Sequence, residues 1–194
     1  MKNLWLIVVL VIFALLFFVG CGKYNTFVTK DENVNQTWAK VETAYQSRSD
    51  LVPNLVATVK GAADFERGTL TDVIEARSQA TSIQLTADEL TPENMAKFQE
   101  AQSKLSGALS RLLVSVERYP ELKATAQFGE LQSQLEGIEN RIRVERNRFN
   151  DSATDYNTTI RTFPNSFIAS ITGFDRRALF ESDPGAQNAP KVEF

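Results

Sequence analysis

The chain has 194 residues, one cysteine, no histidine and a net charge of −3, so it suits one ordinary domain or a domain plus an anchor. One cysteine excludes an internal disulfide, and the absence of histidine excludes Ser/His and Cys/His catalysis and any imidazole-bearing zinc site. The balance of 21 basic against 24 acidic residues leaves no electrostatic footprint for nucleic acid.

Lys2 is followed by an uncharged run from Asn3 to Gly20, whose 18 residues span ~27 Å as a helix, close to a bilayer's hydrocarbon thickness. The run ends at Val19-Gly20-Cys21, which resembles the lipobox of bacterial lipoproteins and implies cleavage at residue 20 and a diacylglyceryl group on Cys21. Phe18 departs from the Leu usual at that place. The alternative is an uncleaved anchor. Either form tethers the chain to a membrane, and Lys2 ahead of the run predicts a bundle outside the cytoplasm, on the periplasmic or extracellular side.

The body is expected to be all-α. From Tyr24, the apolar residues Phe27, Val34, Trp38, Val41, Tyr45, Val52, Leu55, Val59 and Ala62 recur at three and four, placing them on one helical face. Pro53 removes a backbone donor, and Asp50 suits an N-cap, so the pattern predicts a tight turn between antiparallel helices at about 26–48 and 50–84. A single kinked helix is the second reading. It differs by placing Trp38 far from Leu55–Val59. Thr91-Pro92-Glu93 predicts a helix start, with a face of Met95, Phe98, Leu105, Leu109, Leu112, Val116 and Tyr119 that ends at Pro120. The next helix carries Phe128, Leu131, Leu135, Ile138, Ile142, Phe149, Tyr156 and Phe163 to Pro164. Asn165 is a cap for a short helix that Gly173 ends. Residues 182–194 read as a disordered tail. Four such helices predict an antiparallel up-and-down four-helix bundle behind the N-terminal signal or anchor, with 1–20 the signal or anchor and 21–181 the bundle.

Several blocks together carry a resemblance: Tyr24-Asn25, Arg48-Ser49-Asp50-Leu51-Val52-Pro53-Asn54-Leu55-Val56, Lys60-Gly61, Tyr119-Pro120-Glu121-Leu122-Lys123-Ala124, Glu139-Asn140-Arg141-Ile142, Phe149-Asn150, Tyr156-Asn157 and Phe163-Pro164. In this order they resemble the LemA family of bacterial membrane-associated helical proteins. The resemblance implies a four-helix bundle behind a membrane segment, with an accessory role in the cell envelope, and brings no catalytic residue, substrate or cofactor. It marks Tyr24, Asn25, Arg48, Asp50, Pro53, Asn54, Gly61, Asn140, Asn150 and Asn157 as motif residues of no assigned role. It breaks at Ala62 and Phe65, where the family pattern carries Tyr and His.

Three polar residues interrupt the apolar stripes: Asp31, Glu66 and Glu145. With a turn near Ser49 they fall near one level, predicting an interior polar layer. Arg141, Arg148 and Lys104 are within plausible reach as ion-pair partners. A divalent-cation site is the sharper alternative for such a layer. The basic run Arg141, Arg143, Arg146 and Arg148 reads as a salt-bridged face, with Glu139 placed to pair with Arg143. Tyr24, Asn25, Asn150, Tyr156 and Asn157 are candidates for a network where the first and last long helices meet. Phe167, Ile168, Ile171 and Phe174, followed by Arg176 and Arg177, are compatible with a short interfacial helix. The functional expectation is a non-enzymatic, membrane-tethered scaffold or adaptor that needs no metal or cofactor, held by membrane lipid and partnered by another envelope protein. The alternative is a cation-binding or enzymatic bundle built on the carboxylate layer.

Overall fold

The computed structural model describes residues 2–61 and 66–181; side chains at 2–4, 12 and 14–19 fall outside that description. Ala62, Phe65 and the tail 182–194, expected to be disordered, also lie outside the described residues. The described chain is all-helical: α1 (Lys2–Lys60), α2 (Arg67–Ser82), a single 3-10 turn at Ala87–Glu89, α3 (Pro92–Val116), α4 (Pro120–Lys123), α5 (Ala126–Arg161) and α6 (Asn165–Thr172). Among the described residues no helix is long and apolar enough to cross a membrane. The expected signal or anchor includes side chains outside the description.

The predicted turn near Ser49 is absent. α1 is one helix of 59 residues with Pro53 inside it, so the kinked-helix alternative was nearer the truth than the hairpin. Asp50 is not an N-cap but an exposed mid-helix residue that accepts a hydrogen bond from Gln46 Nε2 at 2.7 Å. Two causes favour continuation. An unbroken helix keeps Val52, Leu55 and Val59 on the stripe of Trp38 and Tyr45, and all five are buried. Pro53 also leaves the Ser49 carbonyl without its helical donor, and Arg77 Nε of α2 donates to that carbonyl at 2.7 Å. Gly61 ends α1 instead, and α2 is correspondingly short.

Spin labels at Ala39 and Lys60 should therefore lie about 31 Å apart, from the helical rise of ~1.5 Å per residue. A pulsed dipolar distance below about 20 Å would restore the hairpin.

The start of α3 was read correctly. Thr91 Oγ1 accepts from Asn94 N at 3.3 Å, and Pro92 occupies the first turn. Thr125 caps α5 in the same manner through Phe128 N, also at 3.3 Å. Gly173 ends α6 with φ +77, a left-handed conformation that favours glycine. The cap of α6 is Pro164 rather than Asn165. Phe163, expected on the buried stripe, is 90% exposed because α5 ends at Arg161 and the backbone leaves the helix at Thr162. Tyr24 is likewise half-exposed.

α1 and α5 run antiparallel along their shared length. Arg48 meets Glu139, Asn33 meets Ser152 and Lys30 pairs with Asp155, so each step along one helix is matched by a reverse step along the other. α2 lies against α3, tied by Arg111 to Asp72 and by Arg118 to Glu66. Helices of such unequal length create two cores. The distal one, farther from the N-terminal run, is mainly aliphatic, including Val52, Leu55, Val73, Leu105, Leu112 and Leu131. The proximal one is aromatic, built on Phe27, Trp38, Phe98, Phe149, Tyr156 and Phe180.

Candidate functional site

Arg48 stands between the two cores. Its position continues the stripe between Tyr45 and Val52, as Gln102 does between Phe98 and Leu105. The side chain is 1% exposed, and a buried guanidinium must be paired. Nη1 donates to Glu139 Oε1 at 2.9 Å and Ser106 Oγ at 2.5 Å. Nη2 donates to Gln102 at both Oε1, 2.6 Å, and its carbonyl, 3.2 Å. The ring of Tyr45 lies 5.1 Å from the guanidinium carbon, a favourable cation–π placement. Gln102 Nε2 passes the connection on to the Ala80 carbonyl of α2 at 3.2 Å. One arginine thus links α1, α3 and α5, with α2 at second hand. Its Nε makes no hydrogen bond. The group opens on a polar cleft of about 430 Å³ lined also by Gln99, Ser103 and Arg146.

That is the interior polar layer. The expected one, Asp31 with Glu66 and Glu145, does not assemble, because the level comparison assumed a turn near Ser49. Asp31 lies at the proximal end and receives Arg177 Nη2 at 2.9 Å. Glu66 is half-exposed at the distal end, 3.0 Å from Arg118. Glu145 is buried on α5, with Oε1 2.8 Å from Arg148 Nη1 and Oε2 without a hydrogen bond. Each carboxylate thus has its own arginine, and of the three expected partners only Arg148 serves; Lys104 pairs with Glu100. Among the described residues no three His, Cys, Asp or Glu are grouped to hold a metal ion.

The second construction is a strap, residues 174–181, which sequence periodicity did not reveal. Asn157 Nδ2 donates to the Arg177 carbonyl at 2.8 Å, and its Oδ1 accepts from Arg177 N at 2.9 Å. One heptad earlier, Asn150 repeats this with Phe180: Nδ2 to the carbonyl at 3.0 Å, Oδ1 from the amide at 2.8 Å. Seven helical residues and three extended residues both advance ~10 Å, which is why the spacings match. These amides therefore act as a strand's edge would. The strap delivers Phe180 into the aromatic core, edge-on to Phe149 at 5.6 Å and stacked on Trp38 at 6.0 Å. Arg146 covers its ring at 4.7 Å and donates to the Glu181 carbonyl at 3.1 Å.

Arg177 also donates to Asp88 at 2.9 Å, so it joins α1, the 3-10 turn and the strap. Tyr156 donates to the Asp175 carbonyl at 2.9 Å. The expected network of Tyr24, Asn25, Asn150, Tyr156 and Asn157 thus divides: the last three hold the strap. Tyr24 meets Phe174 edge-on at 5.6 Å, and the carbonyl of Asn25 accepts from Thr29 Oγ1 within α1. In the basic run, Arg143 takes Asn140 Oδ1 at 2.6 Å because Glu139 is committed to Arg48. Asn54 is exposed, its carbonyl accepting from Thr58 Oγ1. Between α3 and the strap runs a groove of about 880 Å³ that includes Met95, Gln99, Ser103 and Leu179.

Burial, with Asp31 nearby, pushes the Tyr156 hydroxyl up to about 12 from its ordinary 10. A raised value means the folded state holds the proton longer. Its contribution is complete below pH ~10 and is lost as pH rises towards ~12. Absorbance titration should show Tyr156 ionising late, and Tyr156→Phe should abolish that late step and its share of the alkaline stability loss.

Comparison with known proteins places this geometry in context. The model of the LemA family matches residues 37–194. Magnetosome protein MamQ 2 of Paramagnetospirillum magneticum is 26% identical over 179 residues, covering 84% of this chain and 66% of the relative. Magnetosome protein MamQ of Magnetospirillum gryphiswaldense is 27% identical over the same shares. Protein LemA of Metamycoplasma hominis is 22% identical over 166 residues, 86% of this chain and 72% of that protein. The chain thus spans slightly under two thirds of the magnetosome relatives' length, at 66%.

Proposed function

The chain belongs to the LemA family, and on that premise we propose that it is a non-catalytic, membrane-tethered helical scaffold of the bacterial cell envelope that presents a helical surface to another envelope protein. The observation that carries this reading is α1, unbroken from the uncharged run to the distal end of the molecule. A continuous helix of 59 residues is ~88 Å long, and the portion beyond Gly20 holds the distal core ~50–60 Å from the run's end. The same rod thus carries the bundle outward from the tethered end, whether the run is retained or Cys21 is lipidated. The groove between α3 and the strap, continuous with the Arg48 cleft through Gln99 and Ser103, is the partner-facing feature.

In this reading the bundle stands outside the cytoplasm, and Cys21, exposed and carrying a free thiol, receives lipid. Native membranes floated on a density gradient and stripped with alkaline carbonate should retain the protein. Labelled palmitate should enter the wild type and not Cys21→Ala. Protease added from outside should digest the bundle. Recovery in the soluble fraction would overturn the tether; peptides from residues 3–20 in the mature protein would replace the lipoprotein form with the uncleaved anchor.

A further inference from the structure

α6 exposes Phe167 (69%) and Ile171 (69%), four residues apart on one helical face, and Phe163 (90%) stands exposed just ahead of the helix. The opposite side is packed: Asn165 and Ala169 are buried, and the helix contacts α1 and α5. Resting on the tether reading, we propose that this face is a second, non-covalent membrane contact, seated in the headgroup boundary of the bilayer that holds the N-terminus, where it sets how the bundle stands.

Height is the first argument. Lys30 faces Asp155, so Arg161, six residues further along α5, lies ~9 Å nearer the membrane, level with about residue 24 of α1. At the other end of α6, the ring of Phe174 meets Tyr24 at 5.6 Å and Phe27 at 5.4 Å. Both ends therefore lie near the level of the same stretch of α1, as they would for a helix that crosses that rod instead of running along it. That stretch begins four residues beyond the uncharged run, ~6–10 Å above its end, and side chains reach ~5–6 Å from a helix axis. Phe163, Phe167 and Ile171 consequently come to the level of Gly20 and Cys21, whether the run is retained or Cys21 is lipidated. Interfacial helices bury their apolar face ~5–10 Å into this boundary.

Charge and area favour lipid as the occupant. Arg161 and Arg176 are exposed at this end and Lys23 is half-buried, against Asp175 as the exposed acidic neighbour, which suits anionic headgroups. The three exposed side chains offer on the order of 450 Å², well below the ~800 Å² per partner of a stable dimer.

The test uses the full chain, residues 1–194, in phosphatidylcholine–phosphatidylglycerol vesicles, with Cys21→Ser and a nitroxide at Phe167→Cys or Val114→Cys. Val114 is comparably exposed, at 70%, but distal. Collision with oxygen, which concentrates in lipid, relative to a water-soluble nickel chelate should be several-fold higher at position 167 than at 114. With the label moved to Ser170→Cys, the combined Phe163→Ser, Phe167→Ser and Ile171→Ser changes should abolish the oxygen excess without changing helical content. If the protein floats with vesicles but position 167 is as nickel-accessible as 114, this proposal is overturned and the tether stands. Failure to float would overturn this proposal together with a tether carried by the uncharged run, and leave a lipid tether on Cys21 to the palmitate experiment. Shielding of position 167 from both reagents, with a short dipolar distance between copies, would assign the face to a second copy and overturn the lipid contact.

Discussion

Arg48→Ala in the full chain is expected to lower the unfolding free energy by about 3 kcal/mol and the melting temperature by roughly 6–12 °C. The size follows from what is left behind. Gln102 and Ser106 would face an empty site between two apolar cores, with their hydrogen bonds to the guanidinium lost. Glu139 is 40% exposed and can turn to water, which keeps the loss below that of a fully enclosed pair. Arg48→Lys keeps the charge but not the planar fork that reaches Gln102 and Glu139 together, so it should recover less than half of the loss. Arg141→Ala, at an exposed position on α5, is the control, with a change within about 0.5 kcal/mol. Denaturant unfolding followed by circular dichroism in detergent would measure all three. A loss under about 1 kcal/mol for Arg48→Ala would show that the polar layer does not hold the helices together.

Phe180→Ala should cost about 3 kcal/mol, the low end for truncating a buried aromatic, because the strap can detach while the helices stay packed. Phe180 is 6% exposed and touches the rings of Trp38, Phe98 and Phe149. Its loss removes the anchor that keeps two backbone amides against Asn150 and Asn157. Hydrogen exchange is the discriminating readout: the amides of Arg177 and Phe180 should lose most of their protection while mid-α3 amides such as Leu105 keep theirs. Asn150→Ala should act in the same direction at about 1–2 kcal/mol, since it leaves a strap amide and carbonyl unpaired. Unchanged protection at Arg177 and Phe180 would mean that the strap is held by something other than these contacts.

Local chemistry was the legible part of this chain. Thr91-Pro92 is a cap whose meaning lies within three residues of itself. The buried stripes of α3 and α5 follow from spacing alone. What misled was Pro53: read locally it breaks a helix, but the donor that satisfies Ser49 comes from Arg77, 28 residues away. With α1 continuous through Pro53, Asp31, Glu66 and Glu145 stand at different levels, each beside its own arginine. Arg48 and Gln102 carried a signal in their heptad positions, obscured because a stripe is sought among apolar residues. The strap left no such trace. An extended segment held by two asparagines has no helical period, and Phe180 takes its place against rings contributed by three other segments.

Site-specific photocrosslinking in native membranes tests the central claim most directly. A photoreactive residue at Gln99 or Ser103, in the groove under the strap, should yield one predominant adduct with another envelope protein, identifiable by mass spectrometry. The same probe at Glu75, on the exposed side of α2, should yield none. Adducts absent at all three positions, or identical from all three, would contradict a scaffold that presents this surface.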